Sequence, residues 1–286
     1  MLFSRLAQYI LKGRWQAIIV ALVGHFVLFL TQFSIGLVTL KKGLKEGLLV
    51  SLWALLPSVV VALTTQTQIL LVYASVANVL LCLVAAYALK VTVSWPKTLV
   101  FITFACAFSA ALLVMLAGDL SAQYTTFLRD LTAKEVESAS LAADMFAAWG
   151  NTHFAAVFAF FLAVGTIISL LFARWMQAMV SNPGGFKQEF HSLRLPIQNS
   201  LLLMLIIVVL QSVGDGFAYW SLLFALPLFM AGLGLIHRFV SARQYGTGAL
   251  VALYVILVVF YPIALFITLI GLIDSWIDCR KKLNLM

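Results

Sequence analysis

Charged residues are scarce in this sequence, and that scarcity decides the class of protein. Asp, Glu, Lys and Arg make up 10% of the 286 residues, whereas hydrophobic residues make up 64%. The mean hydropathy is +1.09. A soluble globular domain is usually about a quarter charged, because charged groups are needed to cover its surface. The composition therefore excludes a soluble globule and requires lipid as the surroundings of most of the chain.

The sequence also has few cysteines and no recognisable catalytic motif. The three cysteines, Cys82, Cys106 and Cys279, show no paired or metal-type spacing, so we expect neither a disulfide nor a metal site. HExxH, GxSxG and P-loop patterns do not occur, which leaves no recognisable nucleophile or ATP site. We therefore expect no catalytic residue and no cofactor, and we expect that the protein is not an enzyme.

Long apolar runs fill most of the chain. A membrane helix needs roughly 20 apolar residues to cross the hydrocarbon core. The sequence predicts an all-α fold, a polytopic transmembrane helix bundle of about eight to ten membrane helices, short or broken ones included, with residues 1–286 forming a single integral membrane domain. The predicted spans cover 68–89, 98–117, 153–173, 197–213, 217–236 and 247–273, with two or three further helices in 15–63.

The net charge of +8 lies mainly between and beyond the apolar runs, which indicates topology rather than nucleic-acid binding. Segment 118–152 holds five acidic and two basic residues, whereas the loop 174–196 holds three basic and one acidic residue. Lys and Arg concentrate on the cytoplasmic side of membrane proteins. The loop 174–196 is therefore predicted to be cytoplasmic and segment 118–152 external, with the lipid bilayer, and no nucleic acid, as a partner.

The same rule chooses between two arrangements of residues 15–63. If the chain turns near Thr31 and Gln32 into a short second helix, the basic residues of segment 1–14 and Lys41 lie on one side of the membrane. We therefore predict a short, broken second helix and a cytoplasmic N-terminus. Segment 1–14 itself fits either a short interfacial helix or an extension of the first membrane helix.

The last apolar run leaves two alternatives open. A single helix over 247–273 would place the basic residues Arg280 to Lys282 outside the cell. A break at Tyr261 and Pro262 would form two short helices and return them to the cytoplasmic side, because proline removes a backbone hydrogen bond and can reverse a helix.

The external segment 118–152 contains a helix-start pattern. Thr132 and Glu135 form a capping box, and apolar residues then recur at helical spacing from Val136 to Phe146. An amphipathic helix over the external mouth is the prediction, either as a lid or as a structural cover of the bundle.

Polar residues inside apolar runs are the candidates for ligand binding, because polar groups at membrane depth are costly and tend to face the bundle interior. The structural alternative is a hydrogen bond between helices for Asn78 or Gln211, and a solvated turn for Asp215. The candidate ligand-binding residues are His25, Gln32, Asn78, Gln211 and Asp215.

Two regions are candidates for docking a protein partner. Ala17 and Ala21 lie one turn apart on one helix face and would allow another helix to approach closely, although packing within the chain explains them equally. The loop 174–196 combines charges, turn residues and aromatics that predict a short helix against the inner face of the bundle, either as a docking surface for a cytoplasmic partner or as a structured turn at the membrane surface. Its docking candidates are Arg174, Gln177, Asn182, Gly184, Gly185, Phe186, Glu189 and Arg194.

This loop and the tail resemble the YybS-like family of predicted membrane proteins. The matching residues are Arg174, Gln177, the NPGGF run from Asn182 to Phe186, Glu189-Phe190, Leu193-Arg194-Leu195, Gly271 to Asp274, Asp278 and Arg280. The resemblance implies a multi-pass protein of the bacterial inner membrane.

The N-terminal half is similar, more distantly, to substrate-binding components of energy-coupling-factor transporters and to MreD-like proteins. The shared features are the Ala-xxx-Ala first helix, a short second helix, and the glycines Gly43 and Gly47 at the start of the third. The resemblance implies that Ala17 and Ala21 dock onto a membrane partner. Two hypotheses follow: a substrate-binding component for small-molecule transport, or a scaffold that docks a membrane or cytoplasmic protein partner.

Overall fold

The computed structural model describes residues 2–27, 29–64, 69–120, 122–123 and 149–282, and every secondary-structure element in that part of the chain is a helix. The predicted all-α class is thereby confirmed. The predicted external helix after Thr132 lies outside the described residues. In chain order the helices are α1 (Leu2–Lys12), α2 (Arg14–Val23), α3 (Leu30–Lys42), α4 (Leu44–Thr64), α5 (Ile69–Thr92), α6 (Trp95–Ala117), α7 (Asn151–Ser181), α8 (Gly185–His191), α9 (Ile197–Val213), α10 (Asp215–Ala218), α11 (Trp220–Ala242), α12 (Gly246–Val259), α13 (Ile263–Ile277) and α14 (Cys279–Lys282).

Within this part of the chain, five helices are long and apolar enough to cross a membrane: α4, α5, α6, α7 and α11 with the short α10 before it. The apolar helices α2, α9, α12 and α13 are shorter, at 10–17 residues. These numbers agree with the predicted helix count and with a multi-pass membrane protein.

The first apolar region folds as a short hairpin followed by a full-length helix. A 3-10 turn at Gly24–Phe26 ends α2, and α3 begins only four residues after it. The Thr31 hydroxyl donates a hydrogen bond of 2.8 Å to the carbonyl of Ala21 across this turn. The predicted short second helix is thereby confirmed. Its turn comes earlier than expected, since Gly24 lies so close to Thr31 that a Cβ there would be 2.6 Å from the Thr31 nitrogen.

The C-terminal region is also a hairpin. Helix α12 ends at Val259, and after a break over Phe260–Pro262 helix α13 runs back. The end of α13 returns to the start of α9, where the Arg280 guanidinium donates a hydrogen bond of 2.5 Å to the carbonyl of Leu193. The broken-hairpin alternative is therefore correct, and proline explains the break because it cannot continue the backbone ladder.

Both hairpins begin and end at the same end of the bundle, and this end carries every lysine and arginine that the structure describes. Contacts between helix ends show that these ends lie together. Arg14 at the start of α2 pairs with Glu46 of α4, and Lys41 of α3 donates to Ser181 of α7 at 2.8 Å. We call it the basic end. The opposite end, where Trp220 of α11 donates to the carbonyl of Thr152 in α7, is called the distal end.

Helices α11 and α13 pack with their backbones in contact. A Cβ on Gly232 would lie 2.0 Å from the carbonyl oxygen of Ile267, and a Cβ on Gly271 would lie 2.0 Å from that of Leu228. Small residues permit such close approach between membrane helices. The pair of glycines therefore fixes the C-terminal hairpin against the rest of the bundle.

Candidate functional site

The loop at the basic end begins where α7 stops at Ser181. Gly184 has φ of +87°, a left-handed conformation that residues with a Cβ rarely adopt. A Cβ on Gly185 would lie 2.3 Å from the side-chain nitrogen of Asn182, so the Asn182 side chain packs directly over this glycine. The chain then forms α8, whose residue Phe190 is buried. The predicted short helix against the bundle is thereby confirmed.

Charged residues of the loop pair with one another across α7 and α8. The Arg174 guanidinium donates to both carboxylate oxygens of Glu189, with Nε 2.9 Å from Oε2. A further N–H of Arg174 donates to the Gln177 side-chain oxygen at 2.6 Å. The Trp95 indole N–H donates to Glu189 at 3.3 Å. Three of the predicted docking residues thus form an internal network that holds α8 on α7.

Arg194 attaches the loop to the C-terminal tail. Its Nε donates to the carbonyl of Asp274 at 2.9 Å, and its Nη1 lies 3.4 Å from a carboxylate oxygen of Asp278. Arg280, which is 7% exposed, approaches the fully buried Asp274 carboxylate at 3.3 Å. The tail residues noted in the sequence therefore serve to fix the two segments together.

A large cavity opens at the basic end beside this loop. Its volume is about 970 Å³, and it lies between α1, α7, α8, α11 and α12. Aromatic rings form two of its walls. Phe172 and Trp175 of α7 contact each other edge-to-face at 5.1 Å. Phe186 and Phe190 of α8 stack at 6.1 Å. Cavities of roughly 300–1,000 Å³ lined mainly by apolar and aromatic side chains are typical of ligand sites.

Polar groups converge on the same cavity from three sides. Arg5 of α1 and Lys187 of α8 contribute cations, and neither forms an ion pair within the described part of the chain. His237 of α11 and Tyr254 of α12 share a hydrogen bond of 2.8 Å. No aspartate or glutamate lines the cavity among the residues described.

His191 of α8 also lines the cavity. Burial lowers the pKa of His191 to about 4, and the charges of Lys187, His237, Arg238 and Arg280 act in the same direction. The imidazole is therefore neutral at physiological pH and can both donate and accept hydrogen bonds.

Asn78, a predicted ligand-binding residue, lines a second cavity of about 640 Å³ between α5, α6 and α7. The other described side chains in its wall are apolar. A Cβ on Gly165 of α7 would lie 3.8 Å from the Asn78 side-chain oxygen and 3.6 Å from the ring of Phe29. Asn78 therefore lies near the turn of the α2–α3 hairpin, close to the middle of α7.

The remaining predicted ligand-binding residues are not gathered with Asn78 in one site. Gln211 donates to the Ser221 hydroxyl at 2.9 Å, the interhelical alternative considered from sequence. Asp215 has a side chain that is 93% exposed and lies 3.8 Å from the His153 ring. His25 is in the 3-10 turn, and the carbonyl of Gln32 accepts from the Cys82 thiol at 2.9 Å.

The alanines of α2 pack inside the chain. Ala17 is 1% exposed and Ala21 is 0% exposed, so in this conformation they present no surface to another chain. The alternative of packing within the chain accounts for them.

Two of the predicted docking residues, Gly184 and Phe186, line the basic-end cavity, whereas Arg5, Trp175 and Tyr254 in its wall are not among the residues predicted from the sequence. The spacing of Phe172 and Trp175, three residues apart, places both rings on one side of α7. That spacing was the available signal, although it could not show which helices lie opposite.

Comparison of the chain with models of protein families, with curated proteins and with solved structures finds no match. The described residues contain no group of three or more His, Cys, Asp or Glu side chains that could hold a metal ion. The candidate site therefore rests on the geometry of the chain itself, which forms an aromatic cavity with cations in its wall at the basic end.

Proposed function

We propose that this integral membrane protein binds an amphipathic small molecule in the cavity at its basic end. The observation that carries the proposal is the combination, in one cavity of about 970 Å³, of aromatic walls with polar and cationic groups. An amphiphile presents the same combination, since it has an apolar chain and a polar headgroup.

The depth of the cavity supports this proposal. Leu171 in its wall lies ten residues before the end of α7 at Ser181, which corresponds to about 15 Å along a helix. A wall of this length can contact an acyl-type chain whose headgroup lies near Arg5 and Lys187.

Helix α12 supports access from the bilayer. None of its residues is buried, and Tyr254 is its contribution to the cavity wall. An amphiphile in the surrounding lipid would therefore meet one thin, apolar wall between the bilayer and the cavity.

The basic end faces the cytoplasm in this proposal, and the membrane is a bacterial inner membrane. The support is the gathering of all described lysines and arginines at that end, which follows the positive-inside rule, together with the resemblance to the YybS-like family. Binding of a small molecule is also the first step required of a substrate-binding transport component. The scaffold hypothesis has less support, since Arg174, Gln177, Glu189 and Arg194 are engaged inside the chain.

Filling the cavity tests the proposal. Met179 lines the cavity and is partly exposed, so Met179→Trp would occupy space that the ligand needs. Leu205→Trp is the matched control, because Leu205 is 62% exposed on α9 and remote from the cavity. Native mass spectrometry of the full-length protein extracted from membranes should show a retained amphiphile in the wild type and in L205W. M179W should lose it. Equal retention by both variants, or no retained amphiphile in the wild type, would contradict the proposal.

A further inference from the structure

We infer that the headgroup recognised in the basic-end cavity is anionic, with a phosphate-type headgroup as the best fit. This inference rests on the proposed binding of an amphiphile and adds the chemical class of its polar part. It is carried by the position of Arg5 and Lys187 in a cavity wall that contains no described carboxylate.

The acidic side chains at the basic end are already used elsewhere. Each one that the structure describes there is paired with an arginine outside the cavity: Glu46 with Arg14, Glu189 with Arg174, Asp274 with Arg280, and Asp278 with Arg194. The cations of the cavity wall therefore have no counter-charge from the acidic residues that the structure describes. A ligand that enters the cavity can supply it.

The position of the two cations suits a headgroup rather than an apolar chain. Arg5 lies on the exposed side of the surface helix α1, and Lys187 lies on α8, three residues after Gly184. Both side chains are exposed, and we call this part of the cavity its mouth, whereas Leu171 and Phe172 are only partly exposed. Arginine and lysine donate charge-assisted hydrogen bonds to phosphate oxygens, and arginine can do so through two parallel N–H groups.

His191 indicates a positive potential at this mouth. After burial, the neighbouring charges of Lys187, His237, Arg238 and Arg280 are the causes that lower the pKa of His191 to about 4. The cation Lys187, which disfavours a proton on this ring, favours an anion beside it. The neutral imidazole can also donate a hydrogen bond to a phosphate oxygen.

Three amphiphiles with identical acyl chains test the inference on the full-length protein in detergent: one with a phosphate monoester headgroup, one with phosphocholine and one uncharged diacylglycerol. We expect the phosphate monoester to bind about 25-fold more tightly than the other two, since each of the two basic residues contributes about a fivefold gain for an anion. Arg5→Gln and Lys187→Gln should each remove about fivefold of that preference. The affinity for the uncharged amphiphile should not change, and it reports that each variant is folded.

Lys12→Gln is the matched control, because Lys12 is an exposed cation on the same helix α1 that does not line the cavity. K12Q and the charge-preserving Arg5→Lys should both keep the selectivity.

Equal affinity of the wild type for all three amphiphiles would overturn the inference while leaving amphiphile binding intact. A loss in K12Q equal to that in R5Q would also overturn it, because the effect would then be a general surface charge. Displacement of the amphiphile by an equal concentration of inorganic phosphate would contradict the proposed function instead, since recognition of phosphate would then need no apolar chain. If none of the three amphiphiles binds, the proposed function itself fails.

Discussion

Arg174 of α7 and Glu189 of α8 form a two-fold hydrogen-bonded ion pair that holds the α8 wall of the cavity on the central helix. The pair lies on the side of α8 away from the cavity, next to Trp95 of α6. The charged residues of the loop 174–196 therefore hold α8 in place, and its aromatic residues form a wall of the cavity.

Removing the charge of Glu189 should loosen this wall. Glu189→Gln keeps the size of the side chain but replaces charge-assisted bonds with neutral ones, and hydrogen bonds to charged groups contribute about 1.5–3 kcal/mol. We expect a loss of about 2 kcal/mol in the free energy of unfolding, measured by denaturant titration in micelles, and weaker amphiphile binding. Glu46→Gln is the control, since its partner Arg14 is 65% exposed and water screens such a pair. Equal midpoints for E189Q and wild type would refute this role.

The buried pair of Arg280 and Asp274 should be costly to break. Arg280→Ala would leave the fully buried Asp274 carboxylate without its nearest cation, and breaking a buried pair typically costs about 3–5 kcal/mol. We expect a strongly lowered unfolding temperature and release of the tail to proteases. Lys281→Ala should have no measurable effect, because Lys281 is 70% exposed. Identical behaviour of the two variants would mean that the tail is not held by this pair.

Helix contact at Gly232 should tolerate no added methyl group. Gly232→Ala places a Cβ 2.0 Å from the carbonyl oxygen of Ile267, and overpacking of a well-packed contact costs about 1–3 kcal/mol or more. Thermal unfolding should show a clear loss of stability. Gly248→Ala is the matched control, since nothing lies within 4 Å of a Cβ there and alanine is the better helix former. A stable G232A protein would contradict the close packing of α11 on α13.

The lowered pKa of His191 predicts a defined pH dependence of stability. The pKa is about 4 in the folded protein against an ordinary value of 6.5, so the fold favours the neutral ring. This contribution is fully present above pH 6.5 and declines as the pH falls from 6.5 towards 4, where the unfolded chain takes up a proton that the folded chain does not.

Replacing His191 checks this directly. Denaturant titrations at several pH values between 4 and 7 should show a shallower decline for His191→Gln than for the wild type, because glutamine cannot be protonated. An unchanged decline in H191Q would assign the pH dependence to other groups.

Much of the fold was predictable because its causes are local. Apolar length located the spans, the break at Pro262 follows from the missing N–H of proline, and the end of α7 follows from the run Asn182 to Gly185. The turn after α2 was placed too late, at Thr31 rather than at Gly24, because the decisive contact is the close approach of Gly24 to Thr31 across the hairpin.

The site was less predictable because its parts meet only in the folded chain. Arg280 and Leu193 are 87 positions apart, and the cavity joins Arg5 of the first helix with Tyr254 of α12. Polar residues within apolar runs are ligand candidates by residue type. One of them, Gln211, instead donates its amide N–H to the Ser221 hydroxyl. Spacing along one helix cannot show which other helix lies opposite.

Photo-crosslinking tests binding in the basic-end cavity most directly. The probe is an anionic phosphate-headed amphiphile with a diazirine on its acyl chain, reconstituted with the full-length protein in bilayers and mapped by mass spectrometry. Binding in the basic-end cavity should give saturable labelling at Phe172, Trp175 and Phe190, competed by unlabelled amphiphile and lost in M179W but not in L205W. Labelling confined to the outward faces of α4 and α9, without saturation and equal in both variants, would contradict it.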